Sequence, residues 1–192
     1  MHTCTLNCAL KDHALRARLV HDIISGKLFI YPTDTIYGIG CNAENESSVL
    51  RIREAKSRGS APFSVIAPSN EWIWSHTNIS PANRELAGKL LPGPYTLILP
   101  ANNKSPKPVV SSQKTIGLRM PRHPFMEIIS EAGVPFVTTS VNRSGQLPVK
   151  SLRDVPEDIR KYIDWAVDSG VLDGHPSRIF DMTGPELKII SR

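Results

Sequence analysis

No run of apolar residues in this chain approaches the roughly 18 needed to cross a bilayer as a helix. The opening residues, Met1-His2-Thr3-Cys4-Thr5-Leu6, lack a basic patch followed by an apolar stretch, so no signal peptide is expected. The expectation is a cytoplasmic protein with no membrane partner. Cysteine is scarce and odd in number, three residues in all, which argues against a disulfide framework. Cys4 and Cys8 have a metal-like spacing, but no second pair completes a zinc site. A surplus of one charge is also missing. Twenty-three Lys and Arg stand against eighteen Asp and Glu, and the net +5 is scattered rather than blocked. That excess permits phosphate-bearing ligands or nucleic acid without requiring either. There is no Walker A loop, no G-x-G-x-x-G after a strand, no H-E-x-x-H and no nucleophile elbow. A nucleotide enzyme built from this chain has to hold phosphate in another way.

What is present is an ordinary globular balance, 40% hydrophobic and 21% charged over 192 residues, enough for one domain spanning 1–192. Apolar spacing predicts helices over 12–25 and 46–56, the second with Asn45 as N-cap. Ser80-Pro81 opens another that runs to about Leu90. Further helices fit 124–132 and 156–162. Short apolar runs predict strands at 28–31, 63–67, 95–99, 115–119 and 135–139, then near 165–167, 178–182 and 187–190. The segment 100–112, rich in Pro, Asn, Ser and Lys, reads as an exposed, mobile loop. Strands and helices interleave, so the fold class is α/β (α+β), a sheet with helices packed on it.

Four polar clusters stand where strands or helices end. Pro32-Thr33-Asp34-Thr35-Ile36-Tyr37-Gly38-Ile39-Gly40 follows a strand; it reads either as a tight turn or as a place where glycines admit a ligand close to the backbone. Lys56-Ser57-Arg58 ends a helix, where two cations complement the dipole or grip phosphate. Thr115 to Pro121 places Arg119 at the end of an apolar strand, where its charge needs a partner or a cavity. Thr138 to Gly145 ends a strand in hydroxyl and amide groups.

In their order, these clusters resemble the YrdC family. PTDTIYGIG, KSR, LPGPYTLIL, TIGLRMPRHP, TTSVNRSG, HPSRIFDM and the closing Ile189-Ile190-Ser191-Arg192 correspond to seven of its blocks. Departures are Leu91 for tryptophan, Val141 for alanine and Arg178 for threonine. The resemblance implies a twisted mixed sheet with flanking helices, enclosing a positively charged cavity. It implies a synthase that makes threonylcarbamoyl-AMP and pyrophosphate from L-threonine, bicarbonate and ATP, with Mg2+ carried by the ATP. The product would pass to a threonylcarbamoyl transferase complex that modifies adenosine 37 of tRNA.

By position, the resemblance puts Thr35, Arg119, Ser140 and Ser177 around L-threonine. It puts Lys56, Arg58, Thr115, Asn142 and Arg192 around ATP, with Lys150 or Ser151 nearby. Lys56, Arg58, Ser140 and Asn142 are the pairs that act in synthesis. Two family contacts do not transfer, because Ala61 and Ile66 stand where relatives carry polar residues. Asp34 is the nearest carboxylate for a metal and reads as structural. The alternative is a protein of the same fold that binds RNA or nucleotide without synthase activity. The retained K-x-R and S-x-N pairs argue against it, and aromatic RNA-stacking signatures are absent.

Overall fold

The computed structural model describes residues 1–143, 145–184 and 186–190. Its elements in chain order are β1 (His2–Thr5), α1 (Leu6–Lys11), α2 (His13–Ile24), β2 (Phe29–Tyr31), β3 (Gly38–Gly40), α3 (Glu46–Ala55), β4 (Ser64–Ile66), α4 (Asn70–His76) and α5 (Pro81–Leu90). They continue with β5 (Tyr95–Pro100), β6 (Thr115–Arg119), α6 (Met126–Ala132), β7 (Phe136–Ser140), α7 (Glu157–Arg160), β8 (Trp165–Asp168), β9 (Arg178–Asp181) and β10 (Lys188–Ile190). All the described strands join one twisted mixed sheet in the order β1-β8-β2-β3-β7-β4-β6-β5-β9-β10. The pairs β1–β8, β2–β8, β4–β6 and β5–β9 are parallel and the rest antiparallel. The expected class is therefore the observed one.

Side-chain caps fix the helix starts. Asp12 accepts from the Ala14 and Leu15 amides at 3.0 Å, Asn45 from Ser48 at 3.1 Å, and Ser80 from Asn83 at 3.2 Å. Gly133, at φ 68°, closes α6 in the left-handed conformation.

Strand alternation sorts the core into two layers. Ile30, Ile39, Val65, Leu97, Leu99, Ile116, Leu118, Val137 and Ala166 face one way, against Val49 and Ile52 of α3, Ile73 of α4, Ala87 of α5 and Ile159 of α7. Phe29, Tyr31, Ile66, Phe136, Trp165 and Val167 face the other way, against Ala9, Leu19, Ile23, Ile128 and Ile129 of α1, α2 and α6. These three helices cover only part of that second face. The remainder, on β4, β5, β6, β7 and β9, is where the cavity lies.

Several elements differ from expectation. β1, α1, β3 and α4 carry too little apolar periodicity to be read from spacing; each is short, and α1 and α4 depend on single caps, from Thr5 and Ser69. The segment 100–112 is not a free loop. It contains a 3-10 turn at Lys107–Val109, buries Val109, and is tied to the end of α4 by the hydrogen bond from Ser105 to the His76 carbonyl at 2.5 Å. Gly38 and Gly40, expected in a turn, lie within the sheet. A side chain at Gly38 would meet the Tyr31 ring at 2.8 Å, and one at Gly40 would meet the Val137 carbonyl at 2.0 Å and the Phe136 ring at 2.6 Å. Here glycine makes room for the Tyr31 ring and for the close approach of the β7 backbone.

Candidate functional site

The uncovered sheet face is built from small or hydroxyl-bearing side chains at alternate strand positions. Ile98, Gly117, Ser64 and Thr138 form one cross-strand row through the pairs Ile98↔Gly117, Ser64↔Gly117 and Ser64↔Thr138. Thr96, Thr115, Ser140 and Ile179 extend the row's neighbourhood, and Arg58, Pro62 and Phe63 close one side. They line a cavity of about 320 Å³, a size that suits a small polar ligand. Thr96, Ser64, Thr138, Thr139 and Ser140 also line a narrower inner recess, completed by Thr33, Ile36, Tyr37, Gly38, Arg119 and Ser177.

The recess carries most of the polar chemistry. Thr33 shapes its floor: its Oγ1 accepts from the Thr35 amide at 3.1 Å and the Ile36 amide at 3.2 Å, and donates to the Ile36 carbonyl at 2.7 Å. This self-bonded turn holds Thr35, whose hydroxyl meets that of Thr33 at 3.0 Å and an Arg119 amine at 3.4 Å. Arg119 is buried and donates to Asp34 at 2.8 Å. Ser177 hydrogen-bonds Thr96 at 2.8 Å, bringing the start of β9 to β5. The Tyr37 hydroxyl donates to the Gly170 carbonyl at 2.8 Å, and burial pushes its pKa up to about 12.

Lys56 differs most from its sequence reading. An exposed helix end was expected, yet the residue is 1% exposed. Its Nζ donates to the Ser140 carbonyl, to the Asn142 carbonyl at 2.8 Å and to Asn142 Oδ1 at 3.0 Å. An ammonium has three hydrogens, and all three have acceptors in the turn that follows β7. Burial lowers its pKa to about 7, and the charge of Arg58 adds to the effect. Asn142 is equally engaged: Oδ1 also accepts from the Ser140 hydroxyl at 2.5 Å, and Nδ2 donates to the Gln146 carbonyl at 2.5 Å. Asn142 therefore shapes the turn from behind and is not among the residues lining the cavity.

Arg58 does face the cavity. It is held by the Pro62 carbonyl at 2.8 Å and lies 5.1 Å from the centre of the Phe63 ring. Thr115 lines the same wall, its hydroxyl 2.7 Å from that of Ser111. Lys150 and Ser151 are elsewhere. Lys150 pairs with Asp173 at the surface and borders a separate hollow of about 230 Å³. Ser151 bonds Asp154 at 2.8 Å. Arg192 lies outside the described residues. The structure thus gathers Arg58, Thr115, Arg119, Ser140 and Ser177, with Thr35 bordering the recess through Thr33 and Arg119. Sequence reasoning missed Ser64 and Thr96 as lining residues, while Thr33, Thr138 and Thr139 fell inside its polar clusters without being assigned to the site. Ser64 and Thr96 are isolated small hydroxyls in mainly apolar strands, a pattern that gains meaning only from cross-strand neighbours.

No described helix is long and apolar enough to cross a membrane. Among the described residues, no group of three His, Cys, Asp or Glu could hold a metal.

The profile of the Sua5/YciO/YrdC family, described as "Telomere recombination", matches residues 22–192. The threonylcarbamoyl-AMP synthase of Xanthomonas euvesicatoria is 30% identical over 172 residues, 85% of this chain and 91% of that protein. The Pyrococcus abyssi threonylcarbamoyl-AMP synthase is 34% identical over 165 residues, 84% of this chain but 48% of its own length. The chain therefore spans about half of that relative. The structure of P. abyssi Sua5 complexed with L-threonine superposes with a TM-score of 0.83 at 32% identity, covering 92% of this chain and 53% of that one. Escherichia coli YciO matches with a TM-score of 0.84 at 23% identity, over 93% of this chain and 89% of its own, and speaks for the fold alone. A sheet face left open at hydroxyl-rich strand positions, on this topology and with these relatives, makes the chain a member of the Sua5/YciO/YrdC family.

Proposed function

We propose that this protein synthesises threonylcarbamoyl-AMP from L-threonine, bicarbonate and ATP, releasing pyrophosphate. The observation that carries the reading is the graded cavity: a hydroxyl-lined recess ending on Arg119, opening into a wider chamber bounded by Arg58, Phe63 and Thr115. The recess offers a guanidinium for an α-carboxylate, with Thr138, Ser140 and Ser177 to meet the amine and side-chain hydroxyl. The wider chamber has room and positive charge for a triphosphate. That P. abyssi Sua5 was solved complexed with L-threonine supports an amino-acid ligand for this fold.

Chemically, the threonine amine forms a C–N bond to the carbon of CO2 with loss of a proton, or to that of bicarbonate with a C–O bond breaking and water leaving. A carbamate oxygen then attacks the α-phosphorus of ATP, and the bond to pyrophosphate breaks. No covalent enzyme intermediate is required. The protein's part is to align three anionic or zwitterionic reactants and to offset developing charge. Arg58 is assigned to the phosphates and Arg119 to the threonine carboxylate. Lys56 and Asn142 are assigned an indirect part: they hold the turn that presents Ser140. Mg2+ would arrive on the ATP phosphates. The product would feed a threonylcarbamoyl transferase complex acting on tRNA in the cytoplasm.

The test is pyrophosphate release with L-threonine, bicarbonate and ATP, each omitted in turn. Release that needs all three is expected; nucleotide or RNA binding without release would favour the non-catalytic alternative. In the same preparation, L-threonine should raise the melting temperature more than L-valine, since a hydroxyl-lined site rejects an analogue that leaves its groups unpaired. Equal shifts would remove the amino-acid assignment of the recess.

A further inference from the structure

Asp34 stands one residue before Thr35 on the turn that Thr33 shapes, and its two carboxylate oxygens go to different places. Oδ1 accepts from Arg119 Nη2 at 2.8 Å, and Oδ2 accepts from the Arg122 backbone amide at 2.9 Å. The Arg119 and Asp34 side chains are 7% and 11% exposed. Asp34 does not line the cavity or its recess, whereas Arg119 does. One carboxylate thus grips the guanidinium from outside the recess and also clamps the chain just after β6, so the end of that strand and the arginine it carries are fixed together. A long side chain such as arginine otherwise loses much rotamer freedom on binding. A buried arginine deprived of its partner is also costly to keep in place.

We infer that Asp34 is a positioning residue for the amino-acid substrate, acting through Arg119. The inference rests on the reading of the recess as the amino-acid end of a synthase. Asp34 sets the plane and depth of the guanidinium fork, and the Arg122 contact registers that fork against the strand. Substrate selectivity toward an α-carboxylate then depends on a residue that never touches the substrate. A purely structural Asp34 would instead affect both substrates alike, because the turn and β6 support both ends of the cavity.

The experiment is steady-state pyrophosphate release by wild type, Asp34→Asn, Arg119→Lys and the double variant, with L-threonine and ATP varied separately and folding checked by melting. Asn keeps the shape and an acceptor for the Arg122 amide but removes the charge from Arg119. Asp34→Asn should raise the KM for L-threonine about tenfold, the scale of a weakened charge-assisted contact, and the KM for ATP less than about twofold. The double variant should show little more effect on threonine than Arg119→Lys alone, because both changes act on one contact. Equal rises for both substrates, no rise for threonine, or additive effects would overturn the assignment. Should Asp34→Asn fail to fold, Asp34→Glu, which keeps the charge but displaces it, carries the same comparison: a threonine-selective rise supports the inference and an unselective loss overturns it. A wild type that releases no pyrophosphate overturns the synthase reading and this inference with it; wild-type synthesis with an unselective variant overturns the inference alone.

Discussion

The two ends of one sheet face make the useful comparison. Phe136 and Thr138 lie on the same strand and the same face, as do Ile66 and Ser64. Phe136 and Ile66 belong to the apolar layer under α1, α2 and α6, while Thr138 and Ser64 line the cavity. The boundary between core and site is therefore one step of two residues, about 6.6 Å along a strand. Fold and site are not separate regions here. They are alternate stretches of the same surface, distinguished by whether a helix covers them.

That contrast can be broken most severely from the covered end. Phe136→Ala removes a fully buried ring that packs against Tyr31 and Phe29, and should cost about 3–5 kcal/mol in urea unfolding. Thr138→Val, one step along, should leave the unfolding midpoint close to wild type while lowering synthesis. If Thr138→Val destabilises as much as Phe136→Ala, the uncovered end belongs to the core after all.

Lys56, buried against the turn that follows β7, comes next. Lys56→Met should cost about 2–3 kcal/mol, because it strands the carbonyls of Ser140 and Asn142. A pH signature accompanies it. The pKa of Lys56 in the folded chain is lowered from 10.5 to about 7. Between those values the unfolded chain holds a proton that the folded one has released, so stability rises with pH across that window and carries its full penalty below it. Urea unfolding from pH 6 to 10 should show this upward slope in wild type, and it should flatten in Lys56→Met. An unchanged slope would mean that the ammonium stays charged on its three acceptors throughout.

Arg58→Ala tests the cavity side alone. The residue is partly exposed, so unfolding should shift by no more than about 0.5–1 kcal/mol, while pyrophosphate release falls steeply. Wild-type turnover would return Arg58 to a loop-holding role. The smallest effect is expected for Lys150→Ala. Lys150 is exposed, paired with Asp173 and outside the cavity, so neither the melting temperature nor the ATP requirement should change measurably. A raised ATP requirement would extend the site to the hollow at 147–150 and 172–176.

Much of the fold was legible because caps and alternation are local. Asn45, Ser80-Pro81 and Gly133 mark helix ends by chemistry that neighbours cannot alter, and the central strands are apolar at every other residue. What was not legible depended on distant packing. Gly38 and Gly40 look like turn residues until the Tyr31 ring and the backbone at Val137 are seen to need their space. Lys56 looks like a surface cation until the turn at 140–142 folds over it. Around the site, Arg119 could be singled out because a charge at the end of an apolar strand is conspicuous, whereas Ser177 came only from the family resemblance. Ser64 and Thr96 could not, because one hydroxyl in a strand carries meaning only when its cross-strand neighbours are known.

The hydrogen bonds that frame the recess join residues far apart in the chain. Arg119 and Asp34 are separated by 85 positions, Lys56 and Asn142 by 86, and Thr96 and Ser177 by 81. Each is a long loop that must close before its contact offers any return. A ribosome would have to release residue 177 before the recess had all its walls, so a nascent or truncated chain could acquire helices α1 to α6 and still be blind to its substrates.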